Sequence, residues 1–326
     1  MADLRYDCHV HLVGNGLAGS GCWLRVPRGW HRWLAEFMRR RVGLPTRSDD
    51  PGFDAAYVAN LVGLLHGSGL DRALLLAQDE VYGDDGRKLD FGSFHVPNDH
   101  LFAVCRAHPE FLPAVSIHPG RPDALAELER CLAFGARALK LLPNCQNVDC
   151  SHRRHDPFWE RMAAAGLPFL CHTGGELTVP VMNRAYQDPR TLRRPLEIGV
   201  KVIAAHGAGR SHPFDRDYTE GLLAMMDEFP HLYADTSALN TVFRIKTLRR
   251  LLRSRHRERL LHGSDYPVPV MSAPAWREGL CDWGEVRAAD KIPNLLARDR
   301  FLKEAARVGE AHFTRLAEVL RPWPRA

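Results

Sequence analysis

The chain has 326 residues, 45% of them apolar and 25% charged, with a formal net charge of +5. That composition excludes collagen-like, disordered and small disulfide-stapled classes and leaves enough apolar mass for a sizeable core. No apolar run reaches the roughly 18 residues that a membrane span needs, and residues 1–7 lack the order of a secretion signal, so a cytoplasmic chain that meets no membrane is expected. The eight cysteines show no Cys-x-x-Cys pair and read as reduced thiols. Six of the 44 basic residues are lysine and 38 are arginine, yet acidic residues are interspersed almost throughout, apart from a basic stretch between Arg25 and Arg47. A nucleic-acid binder would concentrate its charge in one stripe, so no nucleic-acid partner is expected.

Short β-like runs alternate with helix-like segments from end to end, which predicts a parallel sheet wrapped by helices. Eight strands are read, at 4–12, 73–77, 112–118, 136–142, 168–172, 200–206, 232–235 and 259–263. Eight β/α units predict an α/β fold of the (β/α)8 TIM-barrel type, with residues 1–326 as a single domain. Helical spacing marks 123–134, through Leu125, Leu128, Leu132 and Phe134, and 220–229, through Leu222, Leu223, Met225 and Met226. Two stretches break the repeat and read as insertions after strands one and eight, at 13–51 and 267–293, on the face where barrel active sites form. The first carries Trp23, Trp30, Trp33 and many arginines. It reads equally as an amphipathic helix over 30–41 packed on the barrel and as a grip for an anionic substrate. Residues 299–320 read as one long closing helix.

Strand one ends Asp7-Cys8-His9-Val10-His11. Strict alternation puts Asp7, His9 and His11 on one face and Cys8, Val10 and Leu12 on the other. Two imidazoles roughly 6.6 Å apart in Cα then point into the barrel mouth, close enough to converge on one divalent ion. Strand five ends in His172 followed by Thr173-Gly174-Gly175, strand six in His206-Gly207, and strand eight continues Gly263-Ser264-Asp265. Apolar runs that end in a polar side chain beside a glycine, on three strands, are hard to attribute to packing, and a metal site at the C-terminal face is expected.

These residues, with Ser116-Ile117-His118-Pro119-Gly120, Ala138-Leu139-Lys140-Leu141-Leu142-Pro143 and Gly263-Ser264-Asp265-Tyr266-Pro267, resemble the amidohydrolase superfamily. The likeness is greatest to the amidohydrolase-related branch, which includes aminocarboxymuconate-semialdehyde decarboxylase and several lactonases. It covers residues 5–267. The resemblance implies a divalent ion, with His9, His11, His172 and Asp265 as ligands and His206 beside the ion. Three imidazoles and a carboxylate suit Zn²⁺ first, with Mn²⁺, Fe²⁺ and Co²⁺ also compatible. Zn²⁺ can lower the pKa of a water to about 7. Asp265 would take a proton from that water and pass it to the leaving group, while His206 polarises the reacting carbonyl. The reaction expected is hydrolysis of an amide, ester or lactone of a small molecule.

Lys140 ends strand four, where binuclear members of the superfamily carry a carboxylated lysine between two metals. In that case His172 and His206 would both bind a second ion. An ammonium that binds a substrate carboxylate or a neighbouring Asp is the favoured reading, with one ion per chain. The same ligands serve non-oxidative decarboxylases of unsaturated or aromatic acids, which is the alternative reaction, and a catalytically silent metal-binding barrel is a third reading. Glu176, Arg210 and His212, just past their strand ends, are candidate substrate contacts. His262 reads as structural and outward-facing. Gly14-Asn15-Gly16-Leu17-Ala18-Gly19 satisfies a dinucleotide pattern, but Gly21, Pro27 and Gly29 follow where a helix should open, so a loop is expected. His118-Pro119-Gly120 reads either as bordering the site or as a strand-capping turn, and Asp235 as a hydrogen-bonded turn residue. The resemblance makes a homodimer the default assembly.

Overall fold

The computed structural model describes residues 3–25, 36, 39–40, 43–44 and 46–322. Eight strands lie parallel and side by side in chain order: β1 Tyr6–His11, β2 Arg72–Leu76, β3 Phe111–Val115, β4 Ala138–Leu141, β5 Phe169–Cys171, β6 Val202–Ala204, β7 Leu232–Asp235 and β8 Leu260–Leu261. Just past β8 the chain returns to β1 through backbone bonds: Cys8 N–H to His262 O, Asp265 N–H to His9 O and His11 N–H to Tyr266 O, each 2.9 Å. The sheet therefore curls into a nearly closed barrel. One helix crosses back after each strand: α1 Phe53–His66, α2 Asn98–Ala107, α3 Ala124–Ala133, α4 Asp156–Ala165, α5 Arg193–Ile198, α6 Thr219–Glu228, α7 Ile245–Arg253 and α8 Leu295–Ala305. All eight strands and the (β/α)8 architecture agree with the sequence reading. Among the described residues no helix is long and apolar enough to cross a membrane.

Alternation along the strands divides the core in two. Outward residues such as Leu75, Leu139, Phe169 and Ala204 pack with the helix residues Leu61, Leu128, Trp159 and Leu222. Inward residues Leu74, Ala138, Leu170, Ile203 and Leu261 fill the barrel, and Leu316, Val319 and Leu320 close its floor. α7 shows why such a segment is helical, since Ile245, Leu248 and Leu251 recur at helical spacing and are buried while Arg250 and Arg253 are not. In α3 the stripe is narrower than the spacing suggests: Leu128 and Leu132 are buried, but Leu125 and Phe134 are exposed.

Two expectations need correction, and one excursion was not foreseen. Strict alternation fails in β1, where the register with β2 shifts by one residue between Asp7 and Val10. This bulge turns Cys8 into the interior cluster and leaves Asp7 at the seam with β8, while His9 still faces the mouth; bulges commonly re-aim side chains in this way. Residues 299–320 are not one helix: after α8 the backbone turns left-handed at Arg307 (φ 62°) and Gly309 (φ 84°), and two short helices follow, Ala311–Thr314 and Leu316–Val319. A third excursion, after β2, went unread. It forms a hairpin of Val81–Tyr82 with Lys88–Leu89, then sends Phe94–His95 to pair antiparallel with Trp23–Leu24 of the first insertion. Strands of two residues carry no periodic signal. Of the helix expected over 30–41, only Glu36, Arg39 and Arg40 are described, all helical; Trp30 and Trp33 lie outside the described residues. The second insertion folds as the helices Ala273–Arg277 and Trp283–Asp290.

Candidate active site

The inward columns that carry the barrel filling also carry the site, two residues further along each strand. Ala138 is followed inward by Lys140, Leu170 by His172 and Tyr233 by Asp235, which places these polar side chains at the C-terminal mouth. Gly263 is obligatory between Leu261 and Asp265, because a Cβ there would lie 2.9 Å from His9 Cβ and 3.1 Å from Cys8 Sγ. His206 (φ 59°) and Asp265 (φ 66°) both hold left-handed backbone, a conformation that persists in a non-glycine residue only when its surroundings enforce it. The His206 N–H donates to Asp235 Oδ1 at 2.8 Å and the Asp265 N–H to His9 O at 2.9 Å.

Asp235 organises the mouth. Its Oδ2 accepts from His9 Nδ1 at 2.8 Å, and its Oδ1 accepts from the Ser237 hydroxyl at 2.5 Å as well as from the His206 and Ser237 backbone. With its proton on Nδ1, His9 turns the lone pair of Nε2 toward the cavity. That lone pair faces Asp265 Oδ1 at 3.1 Å, and His11 Nε2 approaches the same oxygen at 3.3 Å. Two acceptors at such a distance repel unless a cation or proton lies between them. The Lys140 ammonium, itself fully buried, donates to His9 Nε2 at 3.2 Å. The ring of His206 is held at both nitrogens: Nδ1 donates to Ser237 Oγ at 2.8 Å, and Nε2 accepts from His172 Nδ1 at 3.1 Å. His172 Nε2 is left buried without a hydrogen bond, 3.6 Å from Glu176 Oε2.

Burial keeps His9, His172 and His206 neutral, the form that offers a lone pair to a metal. It holds His9 and His206 well below their usual range, with Lys140 adding to the effect on His9, and His172 at about 3. Burial also lowers Lys140, opposed by Asp235 and Asp265. Glu176 would be raised by burial, but His172, Arg244 and bonds from Thr178 and Val179 together hold it below its ordinary value.

The structure thus brings together His9, His11, His172, His206, Asp265, Lys140 and Glu176, and a ligand atom from each of His9, His206 and Asp265 lies within 4.8 Å of the other two. His172 joins through His206. Above them opens a cavity of about 590 Å³, floored by His11, Lys140, His172, His206 and Asp265 and walled by Leu24, Phe53, Phe94 and Val268. Arg210 and His212 do not line it, a correction to their reading as substrate contacts. Left-handed backbone at His206, Gly207 and Ala208 turns the chain away, and Arg210 faces Asp217 at 3.6 Å. Arg25 and Arg39 of the first insertion do line the cavity, each already paired, with Asp90 and Glu36. His118 is a turn residue, its Nε2 donating to Gln146 O at 2.8 Å and its Nδ1 accepting from Gly120 N–H at 3.0 Å. His262 points out of the barrel against Phe313, ring centroids 4.9 Å apart, as expected.

Three contributors were missed. Asp235 is the hydrogen-bonded turn residue expected, accepting from the Ser237 N–H, but nothing in the sequence marks its hold on His9 and His206. Ser237 has no sequence signal. Arg244 lies at the start of α7, buried, with Nη2 donating to Gly175 O at 2.7 Å and Nη1 buried without a partner.

Comparison with known proteins bears on the family and the fold. The profile of the family described as Amidohydrolase matches residues 6–285. No curated protein matches the chain. Among solved structures, an uncharacterised TIM-barrel protein from Bordetella bronchiseptica is similar at a TM-score of 0.58 and 17% identity, over 92% of this chain and 99% of that one. A candidate 2-pyrone-4,6-dicarboxylic acid hydrolase from Pseudomonas putida reaches 0.58 at 16% identity, over 98% and 97%. The 5-carboxyvanillate decarboxylase of Sphingomonas paucimobilis reaches 0.50 at 16% identity, over 94% and 99%.

Proposed function

The chain belongs to the amidohydrolase family and is an enzyme; on that premise we propose that it is a metal-dependent hydrolase of a small ester, amide or lactone that carries a carboxylate. The observation that carries the reading is the approach of His9 Nε2 and His11 Nε2 to one oxygen of Asp265, at 3.1 and 3.3 Å. Ligands bound to a tetrahedral Zn²⁺ at about 2.0–2.2 Å lie roughly 3.4 Å from one another, so these spacings suit a shared ion. His9, His11, His172 and Asp265 would hold it, and the unpartnered Nε2 of His172 fits that assignment. When bound, the ion polarises a carbonyl and acidifies a water.

The protein's own groups do the rest. Asp235 fixes the tautomer and angle of His9, as the carboxylates behind metal-bound histidines do. His206 holds the His172 ring by its Nδ1 and is itself held by Ser237, so it serves as a positioning residue. Asp265 takes the proton from water and returns it to the leaving group. Lys140 on the cavity floor, with Arg25 and Arg39 in its lining, favours an acidic substrate, and both named neighbours above are described by acids. The same cations support a second reading, the decarboxylation of such an acid.

Chelator-stripped protein, assayed against lactone, ester, amide and carboxylic-acid panels, should be inactive and regain activity with Zn²⁺ or Mn²⁺. Incorporation of labelled water into the product is the expected result. Release of CO2 without water uptake establishes the decarboxylase instead, and activity indifferent to chelation overturns both.

A further inference from the structure

A second gathering of metal-ligating side chains lies away from the mouth, where the first insertion leaves β1. Cys22, Asp54 and His100 come from three separate elements, the inserted loop, the first turn of α1 and the first turn of α2, and a ligand atom from each lies within 4.8 Å of the others. Cys22 and Asp54 are each 6% exposed. His100 Nε2 is inaccessible and has no hydrogen-bond partner. The backbone leaves room for this group alone: a Cβ on Gly14 would lie 2.8 Å from Cys22 Sγ and 2.9 Å from Asp54 Oδ2. A packing role explains a buried thiol well enough, but it leaves a buried imidazole nitrogen unsatisfied beside a carboxylate and a sulfur.

We propose that Cys22, Asp54 and His100 form a second, structural metal site, which takes Zn²⁺ and clamps the inserted loop to α1 and α2. Thiolate, imidazole and carboxylate together select Zn²⁺ over Ca²⁺ or Mg²⁺, which prefer oxygen alone. With Zn–S near 2.3 Å and Zn–N near 2.1 Å, the sulfur and nitrogen of a tetrahedral site lie about 3.6 Å apart, so a movement of about 1 Å closes the group. On binding, the Cys22 thiol releases its proton to solvent and the thiolate ligates. The Asp54 carboxylate already gathers the loop, accepting from Asn15 N–H at 2.6 Å and from the Ser20 hydroxyl at 2.5 Å. Val13 and Leu24, on either side of Cys22, line the substrate cavity, so the ion would hold one of its walls.

The site is independent of the proposed reaction, and its test separates the two. Full-length protein stripped by chelator and reloaded with Zn²⁺ should take up about two ions per chain, with a sulfur scatterer near 2.3 Å in its zinc X-ray absorption spectrum. Asp265→Asn should keep that sulfur signal. Cys22→Ser and His100→Gln should each hold about one ion fewer, with the sulfur signal lost in the first and substrate KM raised in both. A wild-type spectrum with only nitrogen and oxygen neighbours overturns the proposal without recourse to any variant, and so does a sulfur signal that survives Cys22→Ser.

Discussion

The two ends of the barrel interior are built from the same strands and differ by two residues. At the floor Leu74, Ala138, Leu170, Ile203 and Leu261 meet the C-terminal Leu316, Val319 and Leu320 in an apolar cluster. At the mouth Lys140, His172, Asp235 and Asp265 stand buried among one another. The side chains named at both ends are buried, so burial alone does not distinguish them. The floor gains free energy from its burial, while the mouth offsets the cost of its buried polar groups by pairing them, with Asp235 accepting from three residues, and leaves His172 Nε2 open. Stability belongs to the first and chemistry to the second, and substitutions should separate them.

The largest effect is expected at the mouth. Asp265→Asn removes the proton acceptor and should lower kcat by about 10²- to 10⁴-fold with little loss of stability; kinetics beside a denaturant titration would show it, and a variant as active as the parent removes Asp265 from the proton path. An acid titration comes next. Burial holds His118 at about 3, far below an unfolded histidine. The stability this reflects is complete above about pH 6.5 and is lost as pH falls toward 3, up to roughly 4 kcal/mol. His118→Asn should flatten that slope in urea midpoints measured from pH 7 to 4, and parallel losses in both proteins would contradict it.

At the floor, Leu170→Ala should cost about 2–5 kcal/mol and leave metal content and kcat of the folded protein unchanged. Coupled loss of metal would mean that the two ends are not separable. The smallest effect, Asp235→Asn, should weaken metal binding by about 10- to 100-fold, read by competition with a chromophoric chelator.

The strands and the gathering of polar side chains at one end were legible because each apolar run stops at a polar residue, and at three of the ends a glycine stands close by. Asp235 is a carboxylate at such a stop, and its role was missed because it depends on which three groups reach it from other strands. The bulge at Cys8 was illegible for a related reason: alternation assumes a register that only the partner strand β2 can set. Proximity in sequence misled for Arg210, which turns toward Asp217, and hid Arg244, which returns to the site from the far end of a loop.

The central claim is that His9, His11, His172 and Asp265 share one cation. An anomalous difference map from crystals grown with Zn²⁺ tests it most directly. The account predicts a peak about 2.0–2.2 Å from His9 Nε2, His11 Nε2, His172 Nε2 and Asp265 Oδ1, with the Lys140 ammonium displaced from His9. No peak among these atoms, with Lys140 still donating to His9 Nε2, would contradict it.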